Sequence, residues 1–249
     1  MPHSDAFETL NESARSNVLI LCDHASNRVP ADINGGSLGI SAEDMNRHIA
    51  YDIGARETAL HLAKALKAPM LASRFSRLVI DPNRGEDDPT ILMKIYDHTI
   101  IEGNRHADAS EKQRRIEAYH RPYHAAIDAA LGAITARGEV PVLISIHSYT
   151  PQLKGRPMRP WHIGILWDDD PRIPVPLLQK LAENPGIMLG NNEPYSGELR
   201  GDTMYFHASQ NGYPHVLIEL RHDLIDTPEG QKKWAAILAT PLNEIIQTL

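Results

Sequence analysis

Three short apolar runs, each ending in ionisable side chains, constrain this chain more than any other feature. Asn17-Val-Leu-Ile-Leu-Cys22 leads into Asp23-His24, and Val140 to Ile146 leads into His147-Ser148-Tyr149. The third run, His215 to Leu220, carries Glu219 and leads into Arg221-His222. Unbroken apolar runs of this length read as strands buried on both faces, as in a parallel sheet covered by helices on each side. The segments between them supply those helices. Ser41, with Asp44 three residues on, resembles a helix N-cap with an acidic first turn. A helical stripe then runs from Met45 to Lys67 through Met45, Ile49, Asp52, Arg56, Ala59, Ala63 and Leu66. Residues 69–72 and 76–80 read as further short strands. Glu111 to Arg137 reads as a long helix kinked at Pro122 and stopped by Gly138. Weaker helices are expected near 175–184 and 204–210, and Pro228 to Leu249 closes the chain as an amphipathic helix interrupted at Pro241. This alternation predicts an α/β fold, three layers of α/β/α around a mostly parallel central sheet. No low-complexity linker divides the chain, so residues 1–249 are expected to form one domain, with 1–16 a loosely held N-terminal segment.

Composition narrows the partners. The 249 residues are 42% apolar and 23% charged, which excludes a disordered, collagen-like or coiled-coil chain. Lys+Arg number 25 against 32 Asp+Glu, a net charge of −7 with no basic run, which argues against nucleic acid and anionic membrane as partners. The lone Cys22 cannot form an internal disulfide and suits a reducing compartment. No stretch reaches the ~18 consecutive apolar residues of a membrane span. Residues Met1 to Asp5 lack the basic and apolar regions of a signal peptide, so a cytoplasmic protein is expected.

Open parallel sheets bind ligands beyond the carboxyl ends of their strands. There the sequence places His24, His147 and Glu219. Two imidazoles and a carboxylate converging at one edge suit a divalent metal, most often zinc, with a general base to activate water. A hydrolytic zinc site takes three protein ligands and keeps one position open. Asn27 stands where a carboxylate three residues after His24 would have served. Asp52 is the candidate third ligand because it interrupts an apolar stripe, where an unpaired carboxylate is costly. Pairing with Arg56 one turn later is the competing reading of Asp52, and Glu57 and Asp23 are reserve ligands. In Asp81-Pro82-Asn83-Arg84, Arg84 can clamp a carboxylate and Asn83 can add a donor. Arg77 can stabilise an oxyanion, whereas Arg74 reads as a solvated surface residue. Tyr195-Ser196-Gly197 is equally consistent with an ordinary turn and with a binding loop.

These motifs carry a resemblance. Ile144-Ser145-Ile146-His147-Ser148-Tyr149 resembles the segment bearing the second zinc histidine in zinc carboxypeptidases, and Ile218-Glu219-Leu220-Arg221 resembles their catalytic-glutamate segment. Asp81-Pro82-Asn83-Arg84 is similar to the Asp-Leu-Asn-Arg carboxylate-binding motif of aspartoacylases. The whole order resembles the N-formylglutamate amidohydrolase family: strand-end His24, Ser76-Arg77, Asp-x-Asn-Arg, Tyr119-His-Arg-Pro-Tyr-His124, His147-Ser148, Tyr195-Ser196-Gly197 and Glu-Leu-Arg. It spans about residues 18 to 225. The resemblance implies a zinc-carboxypeptidase-like fold and a zinc-dependent amidohydrolase that removes a short N-acyl group, formyl first, from an acidic amino acid such as N-formylglutamate. It implies zinc on His24, Asp52 and His147, with Glu219 and Arg77 catalytic. Asn83, Arg84, Ser148, Tyr195 and Arg221 would contact the substrate, a small N-acyl amino acid. The more remotely similar muramoyl-alanine amidases take a ligand carboxylate from beyond the first strand, in line with Asp52. A metallopeptidase, a muramoyl-alanine-type amidase and a non-catalytic carboxylate-binding protein are the alternatives. Pure binding would leave Glu219 without a task.

Overall fold

The computed structural model describes residues 6–249. Its strands are β1 (Phe7–Leu10), β2 (Val18–Cys22), β3 (Met70–Ser73), β4 (Ile95–Tyr96), β5 (Thr99–Ile100), β6 (Val142–Tyr149), β7 (Ile163–Leu166), β8 (Leu189–Asn191) and β9 (His215–Arg221). Its α-helices are α1 (Ala42–Met45), α2 (Ala55–Ala65), α3 (Glu102–Arg105), α4 (Ala109–Arg115), α5 (Arg121–Thr135), α6 (Pro174–Ala182), α7 (Thr203–His207) and α8 (Pro228–Ile246). Seven strands form the central sheet in the order β1-β3-β2-β6-β9-β7-β8, and β4 and β5 make a separate hairpin. The four central strands β3, β2, β6 and β9 are mutually parallel, whereas β1 and β7 run antiparallel to their neighbours β3 and β9.

Strand alternation divides the apolar side chains between two faces. Val18, Ile20, Cys22, Ile144, Ile146 and Ile218 pack under α2, α6 and α8. Leu19, Leu21, Leu143 and Leu217 pack under Tyr123, Ile127 and Leu131 of α5 and Met204 of α7. The result is the three-layer α/β/α arrangement expected from the sequence. Among the described residues, no helix is long and apolar enough to cross a membrane.

Four elements depart from the sequence reading, one of them α8, which runs unbroken through Pro241. The stripe from Met45 to Lys67 is not one helix: α1 ends at Met45, residues 46–54 are irregular, and α2 starts at Ala55. Gly54 forces the break. Its φ is 75°, and a Cβ there would sit 2.0 Å from the Ile225 carbonyl oxygen. Asp52 therefore lies in the loop before α2, and its N–H donates to the His24 carbonyl at 2.9 Å. Residues 76–80 form a turn instead of a strand. Leu78, Val79 and Ile80 are buried in a cluster under the loops, and Asn104 Nδ2 donates to the Leu78 carbonyl at 2.7 Å in place of a neighbouring strand. Part of the segment expected to be loose is ordered, since β1 pairs with β3 along residues 7–10. Residues 1–5, where signal-peptide features were sought, lie outside the described residues.

The long helix expected from Glu111 to Arg137 is present as α4 and α5, joined by a π-helical turn, Ile116–His120. Pro122 lacks an N–H to continue the α pattern, and the wider turn just before it absorbs the mismatch.

Candidate active site

The carboxyl ends of β2, β6 and β9 open into one cavity, lined by His24, Asp52, Arg77, Asn83, Arg84, Tyr96, His147, Ser148, Tyr195, Asp202 and Glu219 among others. His24, Asp52 and His147 are all buried, and each offers a donor atom within 4.8 Å of the other two. Asp52 Oδ2 lies 3.3 Å from His24 Nδ1 and 2.8 Å from His147 Nδ1. The far nitrogens have their own carboxylates: His24 Nε2 donates to Asp81 Oδ1 at 2.7 Å, and His147 Nε2 donates to Asp23 Oδ2 at 2.8 Å. Carboxylates behind both imidazoles fix the Nε2–H tautomer and turn the Nδ1 lone pairs towards Asp52. Two lone pairs and a carboxylate aimed at one point repel each other unless a cation lies between them. This donor set fits a divalent metal of the zinc type.

Electrostatics agree. Without a metal, a proton on His147 Nδ1 takes the cation's place: burial opposes the charge, yet contacts with Asp23 and Asp52 outweigh that and hold the His147 pKa well above the ordinary imidazole value. Burial likewise disfavours ionised Asp52, but His24 and His147 keep its pKa well below the ordinary carboxylate value. The site prefers a net positive occupant among its carboxylates.

Asp52 is held from several sides. Ser148 N–H donates to Asp52 Oδ2 at 3.2 Å, and Ser148 Oγ donates to the Ile53 carbonyl at 2.9 Å. The Ser148 hydroxyl thus fastens the Asp52 loop. Arg56 is not Asp52's partner: its guanidinium pairs with Glu8 of β1 at 2.7 Å and with Glu57 at 3.1 Å. That contact also commits Glu57 away from the cluster. Asp23, the other reserve ligand, is engaged behind His147 and accepts hydrogen bonds from Tyr123 and Ser145 at 2.9 and 3.0 Å.

Glu219 sits beside His147 in the parallel register of β6 and β9. Its Oε2 is buried and has no hydrogen-bond partner among the described residues. Burial pushes its pKa up to about 7, with His147 opposing the shift and Asp52 adding to it. Such a carboxyl group is poised to exchange a proton near neutral pH.

Arg77, on the turn at 76–80, donates to Asp81 Oδ2 through Nε at 3.1 Å and Nη2 at 2.7 Å. Its Nη1 lies 3.7 Å from Asp52 Oδ1. Asn83 Oδ1 accepts from Thr203 N–H at 2.9 Å. Arg84 donates to the Asn83 carbonyl at 2.7 Å and has no carboxylate partner among the described residues. Tyr195 OH accepts from Arg159 Nη1 at 3.0 Å, and the guanidinium stacks over the Tyr195 ring. Gly197 closes the Tyr195 loop because a Cβ there would meet the Trp167 backbone nitrogen at 2.2 Å. Arg221, expected to contact the substrate, has its guanidinium engaged by Asp223 and by the carbonyls of Arg159, Pro160 and Trp161.

The supporting roles of Asp23 and Asp81, the contact of Arg159 with Tyr195, and the presence of Tyr96 and Asp202 in the lining escaped the sequence reading. Asp23 had a usable signal: a carboxylate next to a strand-end histidine, inside a fully buried segment. Nothing in the spacing pointed to Arg159 or Asp202.

Fold and site together define a three-layer α/β protein with a buried group able to hold a metal beside an unpartnered carboxylate. The sequence profile of the N-formylglutamate amidohydrolase family matches residues 16–226, and the chain belongs to that family. The structure of the gene product Atu2144 from Agrobacterium tumefaciens is similar to it, with 33% identity over 98% of this chain and 95% of that one, and a TM-score of 0.91. The N-formylglutamate amidohydrolase from Ralstonia eutropha JMP134 is 22% identical over 98% of both chains, with a TM-score of 0.72. No curated protein matches the sequence.

Proposed function

We propose that this chain is a zinc-dependent amidohydrolase that cleaves a short N-acyl group, formyl first, from an acidic amino acid such as N-formylglutamate. The observation that carries the reading is buried Glu219, with an unpartnered oxygen, next to the His24–Asp52–His147 donor set. Family membership supports the hydrolytic class, and the name of the Ralstonia relative supports the substrate.

His24, Asp52 and His147 would hold the ion, with Asp81 and Asp23 fixing the two imidazoles. Zinc bound there supplies positive charge that polarises an amide carbonyl and acidifies water. Arg84 and Asn83 bind the substrate carboxylate and so orient the amide towards Glu219. Glu219 takes a proton from the attacking water as its oxygen bonds to the acyl carbon. Arg77 donates to the carbonyl oxygen as negative charge develops on it. Glu219 then returns the proton to the leaving nitrogen as the C–N bond breaks, giving formate and the free amino acid. Tyr195, held by Arg159, lines the side of the cavity. The experiment is metal analysis of the purified protein, with amine release from N-formylglutamate measured with and without chelator. Chelator-sensitive release with a stoichiometric metal supports the reading. Release that persists after complete metal removal overturns it.

A further inference from the structure

His120 and His124 lie one turn apart, where the π-helical turn passes into α5, and their rings are 4.2 Å apart. Both aim Nε2 at main-chain carbonyls of the loop that carries Asn83. His120 Nε2 lies 2.8 Å from the Arg84 oxygen, and His124 Nε2 lies 2.9 Å from the Pro82 oxygen. A carbonyl oxygen only accepts, so both Nε2 atoms carry hydrogen. His124 Nδ1 then meets His207 Nε2 of α7 at 2.7 Å, in stacked rings, and His207 Nδ1 meets Asp128 Oδ1 of α5 at 2.9 Å. A chain of three hydrogen bonds therefore links the solvent-exposed Asp128 on α5 to the loop beside the cavity.

The hydrogen-bond chain requires three protons. Its ends, a carbonyl and a carboxylate, are both acceptors, so three contacts need three hydrogens. Two neutral imidazoles supply only two. Burial pushes His124 down to about 3, with His120 and His207 repelling a charge on it, so His124 is the neutral member. The third proton belongs on His207, where burial opposes it and Asp128 favours it. Asp23 also faces both His124 and His207, Tyr123 packs edge-on against His124, and Glu86, Asp81 and Arg121 surround His120.

We infer that His120, His124 and His207 are positioning residues that set the Asn83–Arg84 segment for carboxylate binding, and that they hold it best when His207 carries a proton shared with Asp128. This rests on Arg84 binding the α-carboxylate of the substrate. Losing one such hydrogen bond lets the segment drift, which weakens binding without touching the reacting groups.

The test uses N-formylglutamate and its α-carboxamide with the metal-loaded protein. His124→Phe keeps the stacked ring and removes the donor. It should raise KM for the acid ~3–10-fold, leave kcat and metal content nearly unchanged, and spare the carboxamide. In the unsubstituted protein, KM for the acid should rise with pH as His207 loses its proton, below the ordinary imidazole value. Asp128→Asn presents an amide N–H to His207 Nδ1, so neutral imidazoles then satisfy all three contacts. That variant should keep a low KM that does not change with pH. Imidazole 15N spectra should show both His207 nitrogens protonated in the acidic unsubstituted protein and one in Asp128→Asn. Unchanged KM in His124→Phe overturns the positioning role, and a retained pH dependence in Asp128→Asn overturns the proton count. If Arg84→Ala weakens acid and carboxamide alike, the carboxylate reading itself fails and this inference falls with it. If Arg84→Ala discriminates while His124→Phe does not, only the positioning role falls.

Discussion

Glu219 and His147 face each other across adjacent parallel strands, and the glutamate keeps one buried oxygen without a hydrogen-bond partner among the described residues. Leaving a buried acceptor unpaired costs about 1–3 kcal/mol, a cost that a reacting water can offset. Glu219→Gln preserves shape while removing basicity. It should bind metal and substrate as before and turn over at least ~10²-fold more slowly. Metal analysis and steady-state kinetics on one preparation check both halves. Loss of the metal would instead make Glu219 a ligand.

Asp52 and Arg56, joined in one reading of the sequence, should separate in experiment. Asp52→Asn removes the carboxylate that both Nδ1 atoms face, so metal affinity should fall sharply. Arg56→Ala breaks only partly exposed contacts with Glu8 and Glu57 and should cost about 0–1 kcal/mol of stability with full metal content. Metal titration and denaturant unfolding of the two variants distinguish the outcomes.

Arg221 is held by Asp223 and by three carbonyls outside the cavity lining. Arg221→Ala should therefore lower stability by about 1–2 kcal/mol and leave KM within ~2-fold of the unsubstituted value. A KM rise comparable to that of Arg84→Ala would return Arg221 to the substrate site.

Asp202 caps α7 by accepting from Tyr205 N–H at 2.7 Å, and burial pushes its pKa up to about 6. The folded value lies above the unfolded one of about 4, so the folded state binds the proton more tightly. This contribution is full below about pH 4 and is lost as pH rises through about 6. Asp202→Asn retains the capping acceptor without the charge. It should raise Tm at pH 7 and leave it nearly unchanged at pH 4; equal Tm at both values would refute the assignment.

The sequence made the strand-end residues legible because His24, His147 and Glu219 each follow or belong to a run too apolar to be anything but a buried strand. Asp52 was legible as a buried carboxylate, but its setting was misread. The three-and-four spacing continues through Asp52 and Arg56 although the backbone leaves the helix there. Only the close approach of Gly54 to Ile225, distant in sequence, decides the matter. Arg56 misled for a related reason, since its partner Glu8 stands on an edge strand of ordinary composition. Leu78-Val79-Ile80 showed that burial does not require a ladder when a turn and Asn104 satisfy the backbone. The histidines at 120 and 124 formed a visible motif, yet their partners lie on segments that only the fold brings near.

The donor atoms of the His24–Asp52–His147 group lie far apart along the chain: 28 residues separate the first pair and 95 separate Asp52 from His147. An ion gripping all three would act as a cross-link closing two long loops, restricting the unfolded chain much as a disulfide does in a protein that has a single cysteine. Occupancy would then couple to folding itself. A scavenger of divalent ions would both silence the reaction and lower the melting temperature, most directly through residues 46–54, whose anchorage runs through Asp52.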